Sequence, residues 1–127
     1  MWPDMELAVI KGVRQQLAGP RVTDEVPAAV EGLVPVVVVR IAGGADDRIS
    51  DTVTVDAESF AADRSSMWQL AERTRAAVHA LAATVAGGVV IDSVDTVQRP
   101  VEVPYGNPGV RRAVATYSLT TRASTDA

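Results

Sequence analysis

His79 is the single histidine of the chain, and there is no cysteine. That excludes the usual nitrogen-and-sulfur metal sites. A catalytic base at His79 would need a nucleophile or carboxylate as partner, yet no Ser/His/Asp or Glu arrangement is legible around it, and four residues to either side stand Arg75 and Ala83. It reads as a surface or interface histidine. Asp46, Asp47 and Asp51 offer hard oxygens for a divalent cation. Their spacing misses the calcium-loop pattern and Arg48 lies among them, so a solvated hairpin tip is the expectation. The pairs Gly43-Gly44 and Gly87-Gly88 are followed by no Gly-Lys-Ser/Thr and precede no helix start, which removes a phosphate loop. Arg99, Arg111 and Arg112 make a small basic spot suited to phosphate or, more commonly, to ion pairs across a subunit contact. Trp2, Trp68 and Tyr105 are three of five aromatics. They stand at element starts or in a loop, as core anchors or interface anchors.

The elements that must position these residues are bounded by a length of 127 residues, enough for one domain with a real core. A hydrophobic content of 47 % with 22 % charge is that of a folded chain. No apolar run approaches the roughly 20 residues of a membrane helix, and Met1-Trp2-Pro3-Asp4 is unlike a secretion signal, so assembly in the cytosol is expected. A net charge of −4 argues against general nucleic-acid binding, which needs a basic patch for phosphate. Lys11 is the only lysine among 12 basic residues, a bias of GC-rich coding.

The organising stretch runs from Ser65 to Val97. Ser66 with Gln69 forms a capping-box pattern, and Met67, Leu70, Ala71, Thr74, Val78, Leu81, Ala82 and Val85 recur at the spacing of one helical face. Gly87-Gly88 is expected to close this helix before a strand over Val89 to Gln98. Its other side carries Trp68, Glu72, Arg75 and His79, spaced by four, three and four, a candidate subunit contact. A first helix is expected from Pro3-Asp4 to about Ala18, and a short edge strand over Arg21 to Val26. A continuous apolar strand covers Val34 to Ala42, a connector Gly43 to Arg48, and an alternating strand the residues around Val53 to Ala57. Arg99 to Gly109 holds three prolines and two glycines and reads as a shaped loop; Arg112 to about Arg122 is a closing strand, and 123–127 a frayed tail.

The order predicts one α+β domain, with a four- to five-stranded, mostly antiparallel twisted sheet carrying both helices on one face. Val36 and Val38 point away from Val37, Val39 and Ile41, so the far face is expected to expose branched apolar side chains to a partner.

The order of elements and the stretch Val97 to Arg122, V-Q-R-P-V-E-V-P-Y-G-N-P-G-V-R-R-A-V-A-T-Y-S-L-T-T-R, resemble tail terminator proteins of long-tailed phages. That stretch is similar to the terminal region of such proteins from phages of actinobacteria, and the Arg-over-Lys bias agrees. The resemblance implies a non-enzymatic virion protein at the head-tail junction, without cofactor or metal. It implies a hexameric ring of identical subunits that caps the tail tube, ends its polymerisation and docks the head connector. Genomic DNA would pass through the lumen unbound, which suits an acidic chain. A neck adaptor or a tube protein is the neighbouring reading. A small α+β enzyme or ligand-binding domain is the rival from another class, with Asp92 and Asp95 the place to seek its carboxylates.

Overall fold

A computed structural model describes residues 5–46, 51–86 and 88–123. Along the chain come α1 (Met5–Gln16), β1 (Arg21–Thr23), a 3-10 turn (Val30–Gly32), β2 (Val36–Asp46) and β3 (Asp51–Ala61). Then follow α2 (Arg64–His79), β4 (Thr84–Ala86), β5 (Val89–Glu102) and β6 (Arg111–Ala123). The strands form one sheet in the order β1-β2-β3-β6-β5-β4, six strands where four or five were expected. The additional pairing comes from β4, a three-residue strand in what the periodicity reads as helix. Among the described residues only the β1–β2 pair is parallel.

Both helices lie on one face. Val9, Ile10 and Val13 of α1 and Leu70, Ala77 and Val78 of α2 share a buried cluster with Val37, Val39, Val55, Tyr117, Leu119 and Ile91 of the sheet. Period-two burial along β6, with Ala113, Ala115, Tyr117, Leu119 and Thr121 buried and the residues between them only partly so, sets its inner face. The sheet curls enough for α1 to touch β1 and β2 near one edge and β4 at the other.

The start of α2 differs from the capping-box expectation. Asp63, extended at φ −140° and ψ 171°, is the N-cap; its carboxylate accepts from the Ser66 amide at 2.8 Å and the Ser66 hydroxyl at 3.1 Å. Ser66 is thus the third helical residue, receiving the cap. The helix also ends early, at His79. Ala83 takes a left-handed φ of 62° and donates its amide to the Ile91 carbonyl at 2.7 Å, which turns the chain onto β5. The β-branched pair Thr84-Val85 then joins the sheet opposite Ile91 and Val90. Val85, expected in the core, is 62 % exposed. Gly88, at φ 81°, supplies the left-handed residue of the β4–β5 turn.

Two other boundaries move. β2 continues through Gly43-Gly44 to Asp46, past a bulge between Ile41 and Gly43, so those glycines are strand and not connector. β5 runs on through Arg99-Pro100 to Glu102, leaving only the segment 103–110 as the proline loop. The start of the first helix at Pro3-Asp4, most of the hairpin tip, and the tail from Ser124 lie outside the described residues.

The far face of the sheet does not expose the expected apolar patch. Val36 and Val38 are fully buried in a second cluster with Val30, Phe60 and Val110. The connectors around the 3-10 turn and the proline loop cover them. Asn107 Nδ2 donates to Glu31 Oε2 at 3.0 Å, tying the two connectors, and a Cβ at Gly109 would stand only 3.2 Å from that of Glu31. Elsewhere that face is mostly polar, carrying Arg40, Asp56, Glu58, Thr116, Ser118 and Thr120 beside the paired Val114 and Val101, with Thr116 Oγ1 donating to Asp56 at 2.7 Å.

Candidate interaction surface

The stripe on α2 lies in the angle between the helix and the sheet. Trp68 is partly buried and packs with Met67, Ala71, Ala61 and Ala113. Glu72 is exposed and stands 3.9 Å from the Arg75 guanidinium, a loose surface pair of little energetic weight. Arg75 is half-buried, and its Nε meets no acceptor among the described residues. His79 Nε2 and Thr96 Oγ1 of β5 are hydrogen-bonded at 2.7 Å, and the imidazole meets the Tyr117 ring edge-on at 5.8 Å. His79 is therefore placed by a hydroxyl and an aromatic ring, with no carboxylate in that contact.

Tyr117 is the least expected member of this group. Its side chain is fully buried, and its hydroxyl has no hydrogen-bond partner among the described residues. Burial pushes the phenol up to about 12, partly offset by the nearby positive charge of Arg75. Period two in the last strand points Tyr117 inward; nothing in that pattern says that the phenol will be left without an acceptor.

The three arginines of the basic spot are separated by their pairings. Arg99 is exposed on β5. Arg111 bonds Glu102 at 3.1 Å across the base of the β5–β6 hairpin. Arg112 reaches Glu58 at 3.4 Å and the Pro104 carbonyl at 3.1 Å, and its guanidinium lies over the Tyr105 ring at 5.2 Å. Tyr105 in turn meets Phe60 edge-on at 5.0 Å, so the exposed tip of the loop is anchored to the second cluster. Glu58, with Arg40 at 3.7 Å on its other oxygen, is the hub that sequence spacing gave no reason to single out.

Asp46 closes β2 opposite Asp51; Asp47 and Arg48 lie outside the described residues. Asp92 pairs with Arg122 at 3.2 Å, and Asp95 is exposed on the same strand. Among the described residues no group of three or more histidines and carboxylates is placed to hold a metal ion. No helix among them is long and apolar enough to cross a membrane. A groove of about 250 Å³ runs between the start of α2 and the ends of β2 and β3, lined by Val34, Pro35, Ala61, Leu70, Gln69 and Arg73. Its lining is mostly apolar and carries no convergent set of titratable groups.

No family model and no curated protein matches the chain. Among solved structures it is similar to a chain of a particle described as the virion of a native gene transfer agent, with a TM-score of 0.55 and 16 % identity. The match covers 88 % of this chain and 92 % of that one, a likeness of fold across nearly the whole of both.

Proposed function

We propose that this chain is a structural subunit of a phage-like virion and, more narrowly, that it forms the ring ending the tail tube at the head-tail junction. The observation that carries the reading is the fold likeness to a chain of a gene-transfer-agent virion over nearly its whole length. The resemblance of Val97 to Arg122 to tail terminators supports the narrower assignment. The protein acts by shape: one face matches the last ring of the tube, the opposite face receives the head connector, and neither repeats the tube's own surface.

The candidate contacts fit subunits joined head to tail in a closed ring. Trp68, Glu72, Arg75 and His79 form one wall, and the loop carrying Tyr105, braced by Arg112 and flanked by Arg111 and Arg99, forms a second, at the end of the sheet where α2 begins. Asp46 at the end of β2, with Asp47 and Arg48 that follow it in the sequence, is a third candidate point of contact with tube, connector or neighbour. A chain of net charge −4 leaves DNA free to slide through the lumen.

The test is removal of the gene from the phage that carries it, followed by electron microscopy of the products. Tails of uncontrolled length without heads are expected. Tails of normal length with heads attached would overturn the terminator assignment, and long tubes grown by the purified protein alone would reassign it to the tube.

A further inference from the structure

β5 is paired by β6 along its whole length, from Val89 to Glu102, but by β4 only at Val89–Ile91. Among the described residues its other edge is unpaired from Asp92 to Glu102. A free edge of that length is ordinarily a template onto which another strand can add.

The sequence of β5 works against that. Its register with β6 shifts three times, between Ile91 and Ser93, Thr96 and Gln98, and Gln98 and Val101. At each shift β5 spends one more residue than its partner, so that 89–102 is matched by only 113–123. The residues passed over in the ladder include Asp92 and Val97, both exposed, and the third falls in the Arg99-Pro100 pair. Pro100 has no amide to give a neighbouring strand. Asp92, Asp95 and Arg99 would each need to be desolvated by a strand laid alongside. β6 provides the contrast: its pairing with β3 runs without a break from Arg111 to Thr121. The irregularity of the hairpin is confined to the strand whose edge is open.

We infer that the free edge of β5 is closed to strand addition, so that a second copy of this chain does not extend the sheet there. The inference concerns the single chain and stands apart from the virion assignment.

Amide exchange on the full chain tests it, comparing dilute protein with protein at the highest concentration reached, alongside a variant lacking Val97 and carrying Pro100→Thr. In the wild type, the β5 amides that face away from β6 should exchange at the same rate in both samples. The variant, with one bulge and the proline removed, should self-associate and protect those amides by about tenfold or more. Protection of the same amides in concentrated wild type would overturn the inference, as would a folded variant that stays the size of the wild type. Should the deletion prevent folding, Pro100→Thr with Asp95→Val keeps every bulge and carries the same prediction for self-association and the same overturning result.

Discussion

The fold biases the protonation of Asp63 and Tyr117 in opposite directions. The Ser66 amide and hydroxyl hold the Asp63 carboxyl below its ordinary value of 3.8. The fold therefore gains from the ionised cap above the unfolded value and loses that gain as pH falls through the lower folded value. Asp63→Ala should lower the urea midpoint more than Ser66→Ala and remove part of the acid sensitivity, read from melts between pH 5 and pH 2. For Tyr117 the sign reverses: a phenol raised to about 12 contributes stability that is intact below its ordinary value of 10.0 and is lost as pH climbs through the folded value. Because its hydroxyl finds no partner among the described residues, Tyr117→Phe should be neutral or stabilising by up to about 1 kcal/mol, with a flatter decline above pH 10. A loss of more than about 2 kcal/mol would show that the hydroxyl holds a hydrogen bond of its own.

At the scale of elements, the boundary between α2 and β4 decides which apolar residues hold the fold. Leu81 is 2 % exposed and Val85 is 62 % exposed, although both belong to one helical stripe in the sequence. Leu81→Ala should cost about 2–5 kcal/mol and Val85→Ala about 0.5 kcal/mol or less, measured by chemical denaturation. Phe60→Ala should cost about 3–5 kcal/mol, because it empties the second cluster and removes the support of Tyr105. The strands with one continuous pattern were legible in advance: Val37 and Val39 against Val36 and Val38, and the alternation from Ala113 to Leu119. So was the inner stripe of α2 from Met67 to Val78. The early end of the helix was not, since Thr84 and Val85 fit a helical period and a short strand alike, and an amide-to-carbonyl bond from Ala83 to Ile91 settles it. The cover on the far face was hidden for a related reason. The Asn107–Glu31 bond joins residues 76 apart, and no local pattern encodes such a contact. The α2 stripe was legible as a set of spacings, while its partners Thr96 and Tyr117 came only from the packing of α2 on β5 and β6.

The whole molecule is a curled sheet with helices inside the curl, loops gathered at one end and a long irregular hairpin along one flank. In the proposed ring the candidate contacts between copies are the α2 side and the loop end. The proposed contacts carry the charged residues Glu72, Arg75, Arg99 and Arg111, and ion pairs formed by such groups weaken as salt rises. A ring built on them should loosen between 0.1 M and 1 M salt, visible as a fall in sedimentation coefficient. The most direct measurement of the central claim is the native mass of the purified full chain, with negative-stain images of the same sample. Six copies of the 13.3 kDa chain should give a closed particle of about 80 kDa with six-fold images. A single species at the mass of one chain, unchanged up to millimolar concentration and in the presence of tail tubes, would contradict it.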